Sequence, residues 1–357
     1  MKNLKFVEYV WIDGTQPTQR VRSKSRLLGI PDNPSCADFP AWSFDGSSTS
    51  QATGDASDCI LCPRRVYADP FRGSGNHVVL CDVRNPDGSA HASNQRSVLQ
   101  DRLAAADPDL NPWFGFEQEY TLLRDGRPLG FPVDGYPAPQ GPYYCGVGAA
   151  NVFGRDIVEA HAQACVDAGV RLYGVNAEVM PGQWEFQVGY RGIVGEASDA
   201  LTIADDVWMA RYLLHRVAEV HNVNVSFENK PVKGDWNGAG MHTNFSTAST
   251  RDQVSGLRAI DEIIEALHAR HDEHIVQYGD RLAERLTGDH ETSDIGMFHS
   301  GVAHRGASVR IPQPVAQKGY GYLEDRRPGA NSDPYRVAAC LLDAVDAISQ
   351  RRDHRAA

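Results

Sequence analysis

The stretch PWFGFEQEYTLL, residues 112–123, is rich in aromatic and apolar residues and indicates a β-strand, yet it contains Glu117 and Glu119. Because successive side chains of a strand point to opposite faces, two acids two residues apart lie on the same face. A charged pair in a strand is most often solvent-exposed. The stretch therefore predicts a sheet with one acidic face, and the surroundings of that face decide whether it is functional.

A second stretch, NAEVMPGQWEFQVG (176–189), favours the functional interpretation. Pro181-Gly182 is a turn signal between two strand-like arms, and if these two residues form the loop, Glu178 faces Glu185. Like charges in directly opposed positions, with Cβ atoms roughly 5 Å apart, are destabilising, and a cation between them removes the repulsion. A register shift, or a Glu178 that faces solvent, is the alternative.

Two further positions extend the set of candidate metal ligands. His242 enters a strand-like segment, MHTNFS (241–246), after a glycine-rich turn, and Glu324 lies in YLEDRRP (322–328). A lone histidine is more often structural than a ligand. A donor set that is rich in oxygen and poor in nitrogen suits Mg²⁺ or Mn²⁺ rather than structural zinc.

Cationic residues concentrate in one part of the chain. Between residues 285 and 327 lie Arg285, Arg305, Arg310, Arg326 and Arg327. Guanidinium groups beside a divalent-metal site fit phosphoryl transfer, because that chemistry depends mainly on positioning and charge neutralisation. Surface ion pairing with the many acids of the chain is the alternative.

Two other patterns are interpreted as structural. Cys59 and Cys62 form a CxxC without a second pair at zinc-finger spacing, so we assign them neither a metal nor a redox role. His268, His271 and His274 recur every three residues in a predicted helix. Because the last two lie among charged residues, we expect them on a solvated helix face.

Length and composition limit the class of protein. A chain of 357 residues, 41% hydrophobic and 23% charged, predicts two globular domains. With a net charge of −11, we expect no partner among nucleic acids or anionic membranes, and no apolar run reaches the roughly 18 residues of a membrane span. Seven scattered cysteines predict reduced thiols and a cytoplasmic location.

Segment patterns predict where the two domains lie. Short apolar segments between turn formers predict a small β-rich domain at 1–95, with a boundary in the polar stretch 84–94. Longer amphipathic segments follow, and helices are predicted at 97–106, 156–168, 201–220, 257–278 and 334–348. Strand-like stretches separate them, which predicts a mixed α+β domain at 96–357.

Nine motifs in one order carry a resemblance to a known family. They are FDGSSTSQATGDASD (44–58), GFEQEYTLL (115–123), GPYYCGVG (141–148), GRDIVEAH (154–161), NAEVMPGQWEFQVG (176–189), GDWNGAGMHTNFS (234–246), RLTGDHET (285–292), RGASVRIP (305–312) and YLEDRRPGAN (322–331). Over essentially the whole chain, the sequence resembles glutamine synthetase, in the shorter type typical of eukaryotes and also found in actinomycetes and rhizobia.

The resemblance implies a fold, an activity and an assembly. The fold is α+β, a small β-grasp N-terminal domain followed by a larger catalytic domain with a curved antiparallel sheet and helices. The activity is ATP-dependent ligation of ammonia to the side-chain carboxylate of L-glutamate through γ-glutamyl phosphate, with two or more Mg²⁺ or Mn²⁺ ions per site. The assembly is a homo-oligomer with active sites between subunits, a decamer of two pentameric rings.

The resemblance also implies a role for each matching residue. The ligands of one metal ion match Glu119, Glu178 and Glu185, and those of the second match Glu117, His242 and Glu324. Glutamate contacts match Arg285, Asn237 and Gly238, and Arg326 matches the arginine on the reacting carboxyl group. Nucleotide contacts match Trp113, Asn244, Ser246, Arg251, Arg305, Arg310 and Tyr322.

The ammonium site completes the implied set. It matches Asp45, Ser48, Tyr144 and Glu291, of which Asp45 comes from the neighbouring subunit. Asp45 takes a proton from the ammonium ion, and Glu291, on a flap, also shields the acyl phosphate from water. Together with Arg305 and Arg326, these two carboxylates are the implied catalytic residues.

Departures from the family pattern leave an alternative open. Tyr190 replaces a usual proline, the segment from there to Trp208 is about seven residues longer than usual, and His304 replaces an asparagine. Smaller departures are Ala150 and the pair Glu228-Asn229. The alternative is a γ-glutamyl-amide ligase that uses an organic amine or another nitrogen nucleophile. An inactive scaffold is disfavoured because all six implied metal ligands are present.

Overall fold

Two β-sheets organise the chain in the computed structural model, which describes residues 4–356, with side chains as far as residue 348. Residues 1–3 and 357, which the predicted domain limits include, lie outside the described residues. The first sheet has five strands in the order β2-β1-β5-β4-β3, with β1 and β5 parallel. Its strands are β1 (Lys5–Ile12), β2 (Val21–Leu28), β3 (Trp42–Asp45), β4 (Asp58–Ala68) and β5 (His77–Arg84).

The first sheet buries apolar side chains on both faces. Val7, Tyr9 and Trp11 of β1 belong to a small core of their own. Val78 and Leu80 of β5 belong instead to the large core that fills the rest of the molecule. Because side chains alternate along each strand, one face of this sheet packs in the small core and the other face packs in the large core.

The second sheet has nine strands and contains the residues of most interest. They are β6 (Trp113–Arg124), β7 (Arg127–Pro128), β8 (Leu172–Ala177), β9 (Gln183–Val188), β10 (Asn224–Ser226), β11 (Met241–Ser246), β12 (Ser300–Val302), β13 (Val309–Ile311) and β14 (Leu323–Asp325). The main path runs β12-β13-β14-β11-β6-β9-β8, and β7 and β10 pair with β6 beside it. Along that path only β12 and β13 are parallel.

Seven helices complete an α+β architecture, which confirms the predicted fold class. They are α1 (Gln95–Ala105), α2 (Arg155–Ala168), α3 (Ala200–Val220), α4 (Gly256–Ala269), α5 (His271–Gln277), α6 (Gln313–Lys318) and α7 (Pro334–Ala356). The single helix predicted at 257–278 is wrong, because Arg270, with φ −113° and ψ 18°, breaks it in two. No helix within residues 4–356 is long and apolar enough to cross a membrane.

The two-residue loop at Pro181-Gly182 does not form, and the alternative, a register shift, is what the structure shows. Strands β8 and β9 pair so that Asn176, not Glu178, faces Glu185, and residues 178–182 form a wider loop. On its other side, Glu185 faces Glu119 of β6. The two acids that oppose each other directly therefore come from different hairpins, and Glu178 approaches them from the loop.

Candidate active site

A polar cavity of about 200 Å³ opens beside the second sheet. Fourteen of the predicted site residues line it, namely Glu117, Glu119, Tyr144, Glu178, Glu185, Asn237, Gly238, His242, Arg285, Glu291, Arg305, Arg310, Glu324 and Arg326. They come from five strands and from loops far apart in the sequence. The fold therefore gathers all six candidate metal ligands and four of the five clustered arginines that the sequence singled out.

The first group of candidate metal ligands consists of Glu119, Glu178 and Glu185, which we call the three-glutamate group. Each offers a carboxylate oxygen, and these oxygens lie within 4.8 Å of one another. Antiparallel pairing of β6 with β9 places two of the carboxylates side by side, and the 178–182 loop supplies the third. All three residues are at most 9% exposed.

Burial shapes the acidity of the three-glutamate group. It raises the pKa of Glu178 to about 8, with the neighbouring Glu119 carboxylate adding to the effect. Burial likewise raises the pKa of Glu119 and, more strongly, that of Glu185. Three buried carboxylates can ionise together only if a cation compensates them, so the group fits a divalent ion bound by oxygen ligands.

The second group consists of Glu117, His242 and Glu324, whose candidate ligand atoms also lie within 4.8 Å of one another. His242 faces Glu117 across the β6–β11 pair. Its Nδ1 lies 3.6 Å from Oε2 of Glu117 and 3.5 Å from Oε1 of Glu324. Burial, aided by Arg326, holds the pKa of His242 well below its usual value, and a neutral imidazole is the form that binds a metal ion.

Three arginines contact the second group, and a fourth lines the same cavity. Arg310 and Arg326 each donate a hydrogen bond to Glu324, at 2.7 Å and 2.6 Å. Arg285 is buried, and its Nη2 lies 3.0 Å from Nε2 of His242. Arg305, at the mouth of the cavity, approaches Glu291 at 3.6 Å. Cations and acids therefore alternate around one small volume, an arrangement suited to binding anionic substrates beside metal ions.

We compared the sequence with models of protein families and with known proteins, and the matches agree on one family. The family model "Glutamine synthetase, beta-Grasp domain" matches residues 3–86, and "Glutamine synthetase, catalytic domain" matches residues 93–255. The glutamine synthetase of Neurospora crassa is 52% identical over 338 residues, which cover 94% of this chain and 90% of that protein. The chain belongs to the glutamine synthetase family. The glutamine synthetase of Hebeloma cylindrosporum is 50% identical over 95% of this chain and 92% of that protein. The "Glutamine synthetase, chloroplastic" of Chlamydomonas reinhardtii is 49% identical over 95% of this chain and 90% of that protein.

The glutamine synthetase matches confirm the β-grasp assignment for the N-terminal sheet. The matched catalytic segment carries the whole three-glutamate group, together with Glu117 and His242. Glu324 lies beyond that segment, within the range that the full-length relatives cover. Family membership therefore agrees with the resemblance that the nine motifs carried.

Two predicted residues of this glutamine synthetase family member do not reach the cavity of their own chain. Asp45 is the last residue of β3, an edge strand of the first sheet, Ser48 follows it, and both are exposed. Oδ2 of Asp45 accepts a 3.0 Å hydrogen bond from the Ser48 hydroxyl, and Oδ1 accepts a 2.9 Å bond from the Ser47 amide. These bonds, with the Ser47 hydroxyl first, lower the pKa of Asp45. The carboxylate is thus ionised and oriented at the surface.

The predicted nucleotide contacts lie next to the cavity and outside its lining. The Trp113 ring lies 4.2 Å from the Arg251 guanidinium, which donates a 2.8 Å hydrogen bond to Ser246. Asn244 donates a 2.8 Å bond to Glu117, which links this region to the second group. Tyr322, directly before β14, is 42% exposed. The departure Tyr190 packs against Trp113 at 5.0 Å between ring centroids.

Sequence reasoning missed five residues that line the cavity, which are Asn176, Val179, Gln187, His290 and Thr292. Asn176 donates a 2.8 Å hydrogen bond to Glu178, and Gln187 donates a 2.6 Å bond to Glu185. Gln187 lies two residues from Glu185 on the same strand, so the alternation that grouped Glu117 with Glu119 could have found it.

Three further predictions are corrected. Arg327 belongs to the predicted arginine cluster but does not line the cavity, because it points to the opposite side of β14 and pairs with Asp325 at 2.7 Å. His271 and His274 are not on a solvated face. They are 7% and 1% exposed and contact Arg327. The charged residues next to them in the sequence suggested that these rings are exposed to solvent. In the structure the rings are buried against the Arg327 guanidinium.

Proposed function

We propose that this protein ligates ammonia to the side-chain carboxylate of L-glutamate with ATP, which gives L-glutamine, ADP and phosphate. The observation that carries the proposal is a single cavity lined by two groups of metal-ligand type and by four arginines. Relatives named glutamine synthetases, 49% to 52% identical over nearly the whole chain, support the same reaction.

Two divalent ions, Mg²⁺ or Mn²⁺, are the cofactors in this proposal. Glu119, Glu178 and Glu185 would hold one ion, and Glu117, His242 and Glu324 the other. Five carboxylates and one imidazole are the donors that hard divalent ions prefer, which supports this assignment. When bound, such ions neutralise the charge of the ATP phosphates and of the phosphoryl group in transfer.

The chain's own residues bind and orient the substrates. Arg285, with Asn237 and Gly238, holds the glutamate backbone end, and Arg326 holds the γ-carboxylate for attack on the γ-phosphorus of ATP. Arg305 and Arg310 hold the phosphates. The nucleotide lies beside Trp113, Asn244, Ser246, Arg251 and Tyr322. The loss of ADP leaves γ-glutamyl phosphate, which ammonia attacks at the acyl carbon to release phosphate.

The ammonia-binding part of the site requires a second chain in this proposal. Tyr144 and Glu291 line the cavity, whereas Asp45 and Ser48 are exposed on the edge of the other sheet. We therefore propose a homo-oligomer, a decamer of two pentameric rings, in which Asp45 of one subunit deprotonates ammonium at the next. Glu291, on the flap, limits the access of water to the acyl phosphate.

Two coarser assignments accompany the reaction. We divide the chain into a β-grasp domain, 1–95, and a catalytic domain, 96–357. The first sheet ends at Arg84 and α1 begins at Gln95, which supports this division. A cytoplasmic location is proposed because all seven cysteines are free thiols.

An acceptor screen tests the function. Purified protein is given ATP, Mg²⁺ and glutamate with either ammonium or a panel of primary amines and hydroxylamine, and phosphate and product mass are followed together. We expect one glutamine per phosphate with ammonium, at a kcat/KM for ammonium above that for every other acceptor. A larger kcat/KM for an amine would show that the protein is a γ-glutamyl-amide ligase instead, and no phosphate release with any acceptor would refute the reaction class.

A further inference from the structure

The back of strand β14, opposite the cavity, carries a buried polar network that the proposed reaction does not use. Glu324 and Arg326 face the cavity, and Asp325 and Arg327 face away from it. Arg327 donates two hydrogen bonds to Asp325, from Nε to Oδ1 at 2.8 Å and from Nη2 to Oδ2 at 2.7 Å. Both side chains are at most 1% exposed, so this bidentate ion pair is buried and holds both side chains in one orientation.

Two histidines of α5 extend this network. Nη1 of Arg327 lies 3.2 Å from Nδ1 of His271, and Nη2 lies 3.3 Å from Nδ1 of His274. Because a guanidinium group only donates, Nδ1 of each ring must accept. The proton of His271 is therefore on Nε2, and Nε2 donates a 2.8 Å hydrogen bond to the carbonyl oxygen of Ile295.

The flap that carries Glu291 consists of residues 286–295, and Ile295 lies at its base. Its amide donates a 3.0 Å hydrogen bond to the carbonyl of Leu286, and Thr287 pairs with Asp294 one step above. At the tip, Glu291 has φ 61°, a left-handed conformation that an ordinary side chain adopts only when its surroundings hold it there.

The segment after Ile295 packs on the same network. The ring of Phe298 lies 5.7 Å from that of His271 in an edge-to-face contact, and the Arg327 guanidinium lies 5.1 Å from it. His268 stacks on Phe298 at 4.8 Å but makes no hydrogen bond to the flap. His271 thus contacts both Arg327, at the back of β14, and the backbone of the flap base.

We propose that His271 is a positioning residue. Its hydrogen bonds connect the flap base to the segment that follows β14, which keeps Glu291 in place at the cavity that Glu324 and Arg326 line. This inference rests on the proposed function for its catalytic consequence. A flap that loses this bond closes less often, so water reaches γ-glutamyl phosphate before ammonia does. The intermediate then yields glutamate and phosphate in place of glutamine.

Two substitutions at one position separate the hydrogen bond from the packing. In His271→Asn, the shorter amide keeps an acceptor near Nδ1 for Arg327 but does not reach Ile295. In His271→Gln, the longer amide nitrogen reaches the position of Nε2 and restores the donor. The matched control is His268→Asn, which removes the other histidine that contacts Phe298.

The ratio of phosphate to glutamine, measured with subsaturating ammonium, is the first readout. We expect a ratio of one in the unaltered protein, at least threefold more phosphate per glutamine in His271→Asn, and a return to less than twofold in His271→Gln and His268→Asn. A ratio of one in His271→Asn overturns the proposal. Equal excess in His271→Gln or in His268→Asn also overturns it, because packing would then be responsible.

Hydrogen exchange of the whole protein without substrates is the second readout, and it does not depend on the reaction. We expect the peptide that spans 286–298 to exchange at least fivefold faster in His271→Asn, with α7 unchanged. Unaltered exchange in the flap overturns the proposal. If the unaltered protein makes no glutamine, the proposed function fails, whereas the exchange experiment still decides whether His271 holds the flap.

Discussion

Glu178 illustrates how a single residue depends on its surroundings. It lies in a loop rather than opposite Glu185, yet its carboxylate reaches the three-glutamate group and accepts a hydrogen bond from Asn176. With burial and Glu119 raising its pKa to about 8, an ionised Glu178 is stabilised chiefly by a bound cation. Removal of this one candidate ligand should therefore be decisive for metal binding.

We predict that Glu178→Ala and Glu119→Ala each weaken the binding of Mn²⁺ at least tenfold and abolish phosphate release. One lost carboxylate leaves the ion under-coordinated. Calorimetric titration with Mn²⁺ and a phosphate assay check this. The control is Glu273→Ala, whose side chain is 65% exposed and pairs with Arg270. Normal turnover of either variant at low metal concentration would refute the two-metal assignment.

The thiols of the CxxC should be dispensable. Cys59 and Cys62 lie on β4 of the first sheet, and neither belongs to the two ligand groups found among the described residues. We predict that the double variant Cys59→Ser, Cys62→Ser keeps kcat within a few-fold and an unchanged metal content. A loss of bound metal, measured by elemental analysis after dialysis, would show that the pair is a ligand.

At the scale of elements, the sequence predicted which segments form strands better than it predicted the register in which those strands pair. The alternation in 112–123 correctly placed Glu117 and Glu119 on one face. The register of the β8–β9 hairpin could not be derived from the local sequence, because residues outside the hairpin fix the position of Gly182. Its carbonyl accepts a 2.8 Å hydrogen bond from the Leu122 amide, and an added Cβ would lie 2.7 Å from the Leu129 carbonyl. A turn signal describes two residues, whereas this loop packs on another strand.

The break between α4 and α5 has the same kind of cause. Periodicity alone predicts one helix through Arg270, yet its guanidinium bonds to the carbonyl of Asp343 and to Glu273. The break re-aims α5 so that His271 and His274 meet Arg327, a residue more than fifty positions away in the sequence. Such long-range partners are invisible to a local pattern, so both histidines were assigned to the wrong environment.

One buried ion pair links three helices and gives a stability prediction. Asp205 of α3 accepts hydrogen bonds from Arg96 of α1 at 2.8 Å and from Tyr335 of α7 at 2.6 Å. Breaking a buried pair leaves an uncompensated charge, which costs about 3–5 kcal/mol. We predict that Asp205→Ala lowers the melting temperature by several degrees in calorimetry. Glu219→Ala, whose side chain is 66% exposed and pairs with Arg216, is the control, and an equal shift in both would contradict this role.

At the scale of the whole molecule, the proposed function requires a second chain to complete the site. The cavity gathers the metal-ligand groups and the arginines, while Asp45 stays exposed on the edge of the other sheet. Sequence reasoning reached this division only through the resemblance, because no local pattern indicates which surface meets a neighbouring subunit. The first sheet of one subunit and the cavity of the next must therefore be tested together.

We predict that Asp45→Ala and Arg326→Ala proteins, each nearly inactive, regain activity when dissociated, mixed and reassembled. A mixed interface can contain one site with both residues intact. Loss of a general base costs about 10² to 10⁴ in rate, so the rescue is measurable above either parent. Reassembly is verified by mass. Verified mixed oligomers without activity would refute a site shared between subunits.

The most direct test of the central claim follows an oxygen atom. Glutamate labelled with ¹⁸O in its γ-carboxylate is incubated with the protein, ATP, Mg²⁺ and ammonium, and the products are examined by mass spectrometry. If the carboxylate attacks the γ-phosphorus and ammonia then expels phosphate, one labelled oxygen leaves in each phosphate and one stays in the glutamine amide. Glutamine formed together with unlabelled phosphate would contradict the account, because the carboxylate would never have been phosphorylated.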